Sequence, residues 1–252
     1  MKKYSAYLFD LYDVLVDIRT DENSPAFWNK MSEYFASRKA NFTPEELHSK
    51  YEGYILDETA ALAESFKLTT PNEERFPEIE LDKVFYWLYS DKFDDNAPIN
   101  NSIPNATESS ASSLDWQQEF VDAVTVTPEL LRSTMQYFRK ESTVSLKLKP
   151  GVLKILHELR ETGAKLILLC NAQRSFAEAE LKELGLWIEF DDIFISSDYC
   201  CRKPDRYFYN APLNKHLLKP SDCLVIEAAG ADNINGAKAL GMDVVSDLYQ
   251  II

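Results

Sequence analysis

The chain has 252 residues, 45% of them hydrophobic, and a formal net charge of −14 from 27 basic and 41 acidic side chains. That length accommodates one large domain or two unequal ones. So negative a surface repels nucleic-acid phosphates and acidic membrane faces alike, and neither is an expected partner. No apolar run approaches the roughly 18 residues that a membrane span needs. The opening MKKYSAYLFDLYDVLVD carries two lysines and several apolar residues, but Asp10, Asp13 and Asp17 interrupt any signal-like core. The expected address is therefore cytoplasmic. Four cysteines, Cys170, Cys200, Cys201 and Cys223, include a vicinal pair but no CxxC spacing. Buried reduced thiols are expected rather than a zinc site.

The first element is a short apolar strand, Ala6 to Phe9, ending on Asp10. A turn-like patch follows, and beyond it the pattern becomes polar and helical. Ser24 to Arg38 starts with a Ser cap and Pro at the first helical position, with apolar residues at 27, 28, 31, 34 and 35. Thr43 to Phe66 opens on TPEE, a capping box with proline. Leu81 to Tyr89, Asp115 to Val124 and Pro128 to Lys140 continue in the same style. Between them, 94–113 is almost free of large apolar residues and is expected to be a mobile loop. The tryptophans at 28, 87 and 116, with Tyr34, Phe85 and Tyr86, are expected to form the core of this helical region rather than a substrate platform. His48, His157 and His216 share no spacing and are expected to be structural or solvent-facing.

After residue 150 the rhythm changes. Only one of the seven glycines, Gly53, precedes that point. Gly151 to Thr162 has helical spacing and stops at Gly163. KLILL (Lys165 to Leu169) reads as a buried parallel strand. Ser175 to Leu184 is helical, Ile193 to Ile195 a strand, and Pro204 opens another helix. Cys223 to Ile226 is a strand, Asp232 to Leu240 a helix, and Asp243 to Val245 a last strand. Strands alternating with helices imply an α/β fold, a Rossmann-like parallel sheet. The expected division is a core from 1–17 and 143–252 and an inserted all-helical cap over 18–142. Ligands of such sheets bind at the C-terminal ends of the strands.

Four features meet at those ends: Asp10 in FDLYD, the Cys170-Asn171 pair in LLCNAQRSF, Lys203 in SSDYCCRKPD, and VIEAAGADNINGAKALGM. Together they resemble the haloacid dehalogenase (HAD) superfamily, in its cap-bearing branch, over essentially the whole chain. The resemblance implies an aspartate nucleophile, a covalent aspartyl intermediate and its hydrolysis by water. In the phosphatase branch it also implies a second Asp as acid/base, a Ser or Thr and a Lys that hold the transferring group, and acids that bind Mg²⁺.

Asp10 matches the nucleophile and Lys203 the lysine. Tyr12 stands where the acid/base is usual, and a phenol of pKa about 10 is a poor base at neutral pH. Asp13 and Val14 replace Gly and Thr, and Asp13 is expected to adopt a left-handed backbone. Cys170 replaces the Ser or Thr with a weak S–H donor, and Asn171 beside it is the second expected substrate contact. Ala228 and Ala229 occupy the acid positions, and Asn233 that of the later acid. An Mg²⁺ site would need Asp10 joined by Glu227 or Asp232, each displaced by one residue, and metal sites tolerate little misplacement.

The resemblance thus implies a hydrolase of a small phosphorylated substrate with weakened or lost activity. Two rivals follow from the same motifs. One is a binding or regulatory protein that uses the old crevice. The other is a metal-independent 2-haloacid dehalogenase, suggested by the DxY form at Asp10 and Tyr12.

Overall fold

The computed structural model describes residues 3–93, 126–228 and 231–251. The loop expected at 94–113, the helix expected at Asp115 to Val124 and Ala229 lie outside the described residues. Two compact units divide the chain. One comprises the described residues within Met1–Thr20, Thr59–Glu80 and Thr143–Ile252, the other those within Asp21–Glu58 and Leu81–Ser142.

The first unit is built on a five-stranded sheet in the order β5-β4-β1-β6-β7. Its strands are β1 (Ala6–Phe9), β4 (Lys165–Cys170), β5 (Asp192–Ile195), β6 (Cys223–Ile226) and β7 (Asp243–Val245), every pair parallel. The central β1 pairs Phe9 with Leu168 on one side and with Ile226 on the other. The twofold period of a strand sends Tyr7, Phe9, Leu166 and Leu168 to one face, against Ile155 and Leu159 of α5 (Val152–Glu161) and Leu181 of α6 (Arg174–Glu183). Leu8, Ile167 and Leu169 go to the other, against Phe208 and Leu213 of α7 (Arg206–Lys215) and Ala237 of α8 (Ala231–Ala239). Both faces are covered, which is why these strands read as unbroken apolar runs. Each fully buried Leu or Phe here contributes roughly 1.5–3 kcal/mol. The expected α/β fold with a parallel sheet is the observed one.

Two local expectations are corrected. The stretch after the first turn is a strand, not helix: β2 (Val16–Thr20) pairs antiparallel with β3 (Thr143–Leu148), from Val16 opposite Leu148 to Thr20 opposite Thr143. Pro204 does not open α7. It precedes the cap residue Asp205, whose Oδ1 accepts the Tyr207 N–H at 2.9 Å. Asp13 does take the left-handed backbone, at φ 61°. The units also divide the chain differently from a single insert over 18–142, because Thr59–Glu80 groups with the sheet.

Within the second unit the described elements are helical. They are α1 (Pro25–Ala36), the first part of α2 (Pro44–Thr69), α3 (Leu81–Phe93) and α4 (Pro128–Ser142). Ser24 Oγ accepts the Phe27 N–H, Thr43 Oγ1 the Glu46 N–H and Thr127 Oγ1 the Leu130 N–H, so each Ser/Thr-Pro pair starts a helix as its chemistry predicts. Aromatic side chains fill the interior. Phe35 stacks on Tyr89 at 4.5 Å, and Phe138 lies 5.0 Å from Phe27 and 5.3 Å from Phe85. Trp28 is buried and stacks on His48. Among the described residues, no helix is long and apolar enough to cross a membrane.

Candidate active site

Asp10 follows the last residue of β1, at the C-terminal edge of the sheet. Its backbone N–H donates to the Ile226 carbonyl, extending the contact with β6 by one residue. Its carboxylate Oδ1 accepts the Leu11 N–H at 2.9 Å, and Oδ2 lies 3.0 Å from Lys203 Nζ. The same ammonium donates to Glu227 Oε1 and Oε2 at 2.9 and 2.8 Å. Glu227 is the residue after β6, and the Lys203 ammonium bridges it to Asp10. Asp10, Lys203 and Glu227 thus form one closed group. Its side chains differ in access: Lys203 and Glu227 are 1% exposed, Asp10 12%.

Burial works against every charge in this group. It pulls the Lys203 pKa down, but the carboxylates of Asp10 and Glu227 together outweigh it, and the ammonium is held above the ordinary lysine value. Burial pushes Glu227 up to about 8, with Lys203 opposing and Asp10 adding to the rise. At neutral pH these directions favour an ammonium on Lys203 and a proton on Glu227.

The other expected residues fall into different places. Asn171 leaves β4 and grips Lys203 by its backbone. Its Oδ1 accepts the Lys203 N–H at 2.8 Å, and its Nδ2 donates to the Lys203 carbonyl at 3.1 Å. Cys170 is fully buried, with Sγ 3.9 Å from the Phe194 carbonyl oxygen. Burial holds its thiol well above the usual range, and the Asp10 carboxylate adds to the rise. Tyr12 turns toward α6 and donates from its hydroxyl to Glu180 Oε2 at 2.6 Å. Asp232, in the first turn of α8, is exposed.

Two further residues join the surroundings: Asn233, which the sequence placed at the later acid position, and Glu78, which sequence reasoning missed. Asn233 Nδ2 donates to Glu227 Oε1 at 3.1 Å, while its carbonyl accepts the Tyr209 hydroxyl at 2.7 Å. Glu78 accepts from Gln173 Nε2 at 3.0 Å and from Ser196 Oγ at 3.3 Å, beside the ends of β4 and β5. Burial raises its pKa, against the pull of Arg202. No alternation or motif signal existed for Glu78, which lies far along the chain from its partners, and in the motif Asn233 reads simply as a lost acid.

The donor set was tested against the Mg²⁺ that the HAD resemblance implies. Both Glu227 oxygens and Asp10 Oδ2 face one ammonium, and an amide N–H points at Glu227 Oε1. Ala228 offers only a methyl group. No three His, Cys, Asp or Glu side chains gather in a metal-holding group among the described residues. A divalent ion needs oxygen ligands converging on it, and here a cation and an amide donor face the same oxygens. The residues present do not fit it.

Comparison with known proteins agrees with this topology. The sequence profile of the haloacid dehalogenase-like hydrolases matches residues 4–241. The chain is 31% identical over 93 residues to the validoxylamine A 7'-phosphate phosphatase of Streptomyces hygroscopicus subsp. limoneus, covering 36% of this chain and 43% of that protein. It is 25% identical over 118 residues to the glyceraldehyde 3-phosphate phosphatase of Methanocaldococcus jannaschii, covering 47% and 52%. The chain thus spans about half the length of the curated relatives it matches. Among solved structures, a HAD phosphatase from Thermococcus onnurineus superimposes with a TM-score of 0.53 at 14% identity, over 98% of this chain and 95% of that one, a likeness of fold. With a profile match across nearly all of its length, this chain belongs to the haloacid dehalogenase-like hydrolase family.

Proposed function

We propose that this protein is a slow hydrolase of small phosphorylated substrates, using Asp10 as nucleophile without a divalent metal, in a reducing cytoplasmic setting. The observation that carries the reading is the difference in access within the closed group. Asp10 is the member that a substrate can reach, while Lys203 and Glu227 are sealed behind it. Asp10 attacks phosphorus, the bond to the leaving oxygen breaks, and the aspartyl phosphate that forms is hydrolysed by water. Lys203 holds the Asp10 carboxylate in place, and the proton on Glu227 limits the negative charge facing the incoming phosphate. The names of the two relatives support a phosphate ester as the substrate class.

The slowness follows from what Tyr12 does. Its hydroxyl is committed to Glu180, so the leaving oxygen takes its proton from solvent. A positioned acid or base is typically worth about 100- to 10,000-fold. Phosphates with good leaving groups are therefore the expected substrates. The test is turnover of p-nitrophenyl phosphate in EDTA and in added Mg²⁺, with Asp10→Asn as control. Slow release of nitrophenolate, insensitive to Mg²⁺ and lost in the control, is the expected result. Mg²⁺-dependent turnover lost in the control would overturn the metal-independent reading, and the absence of any turnover would overturn the hydrolase.

A further inference from the structure

Lys203 reaches Asp10 from a loop that starts after the short 3₁₀ turn Ser196–Tyr199, and that loop is held from an unexpected direction. Residues 76–78 run antiparallel to 200–202. The Arg202 N–H donates to the Phe76 carbonyl at 2.9 Å, Pro77 bridges Cys201, and the Glu78 N–H donates to the Cys200 carbonyl at 3.0 Å. Just beyond Lys203, Asp205 is fully buried. Its Oδ2 accepts from Arg75 Nε at 2.7 Å and from the Phe76 N–H at 3.1 Å. The Arg75 guanidinium lies between two rings, 3.9 Å from the Phe66 centroid and 4.2 Å from that of Tyr207. Arg75 is 11% exposed and Asp205 0%. The segment 75–78 therefore grips the lysine loop on both sides of Lys203.

We propose that Arg75 is a positioning residue for Lys203: its buried ion pair with Asp205, fixed between two aromatic rings, sets where the Lys203 ammonium meets Asp10. A planar, permanently charged guanidinium suits this place, since it can pair with a carboxylate in its plane while stacking on rings above and below. Removing it strands a buried Asp205 carboxylate with only N–H partners, which the loop relieves by opening toward water. The pairing of 76–78 with 200–202 then loses its anchor. The Asn171 amide still grips Lys203, but from one side of the loop. The proposal rests on the reading of Lys203 as a site residue, and its test does not require turnover.

The experiment compares acylation of Lys203 by sulfo-N-hydroxysuccinimide acetate, followed by peptide mass spectrometry, in the full-length wild type, Arg75→Met and Leu159→Ala. Leu159 is a buried core residue on α5, outside the loop, so its truncation lowers stability in general. All three are labelled at a temperature well below the lowest melting point. Arg75→Met is expected to speed Lys203 labelling about tenfold over wild type, while Leu159→Ala leaves it near the wild-type rate. Equal rates in wild type and Arg75→Met overturn the proposal, as does an equal rise in both variants. If Arg75→Met does not fold, Arg75→Lys, which keeps the charge but loses the planar stacking, is scored in the same way. A wild type without phosphatase turnover would overturn the hydrolase reading and leave this comparison standing.

Discussion

Glu227 sits between an ammonium that favours its charge and a burial that opposes it, and burial wins. Its pKa is pushed up to about 8 in the folded protein, against about 4.3 for a free glutamate. Between those values the folded chain holds a proton that the unfolded chain has released. Stability from this group is fully present below about pH 4.3 and is lost as pH rises toward about 8, at up to about 1.4 kcal/mol per pH unit. Glu227→Gln cannot titrate and should flatten that part of the curve. Urea unfolding of both proteins at pH 5, 6.5 and 8 is the check, and parallel pH profiles would refute the assignment. The same residue shows the limit of reading motifs. As a metal ligand displaced by one position, Glu227 looked like a stand-in for lost acids; in space it is the partner of Lys203. Tyr12 carries a similar lesson. A side chain two residues past a strand end can point anywhere, because a turn has no period, and only the fold sends its hydroxyl to Glu180.

Helix α8 approaches the lysine loop as closely as backbone permits. A Cβ at Gly236 would lie 2.7 Å from Pro204 Cβ and 3.0 Å from the Pro204 carbonyl oxygen. Elsewhere in a helix, Gly to Ala gains about 1 kcal/mol of propensity. Here overpacking against backbone costs roughly 1–3 kcal/mol, so Gly236→Ala should be net destabilising by up to about 2 kcal/mol. Chemical denaturation measures it, and a stabilised Gly236→Ala would show that the helix can slide away. The physical reason for the glycine in NGAKALGM is this contact with the residue after Lys203. Other elements were legible for equally local reasons. KLILL and CLVI are buried on both faces, and Ser24, Thr43 and Thr127 cap the helices they precede. The ribbon of β2 and β3 was not. VDIRT and TVSLKL each alternate too briefly to stand out, and what makes them strands is each other, across the whole insert.

At the scale of the molecule, 41 acidic against 27 basic side chains set a field that repels a phosphorylated substrate. Raising ionic strength from about 0.01 to 0.15 M shortens the screening length from about 30 to about 8 Å. The kcat/KM for a dianionic aryl phosphate should therefore rise several-fold over that range, and a flat or falling value would show that the local field at Asp10 overrides the net charge. The division into units was the least legible feature. Composition marks where helices replace strands, but not that Thr59–Glu80 belongs with the sheet. That assignment depends on pairings such as Phe76 with Arg202 and Arg75 with Asp205, between segments far apart in the chain. It also bears on how such a protein can change. An insert that only rested on the sheet could be exchanged for another, as one cassette for the next. Here the segment 75–78, bridged to 200–202 at Pro77 and Cys201, holds the loop that carries Lys203, so excising 59–80 would leave Asp10 and the sheet behind while taking away half of the lysine's frame. The segment and the loop it holds are free to diverge only together.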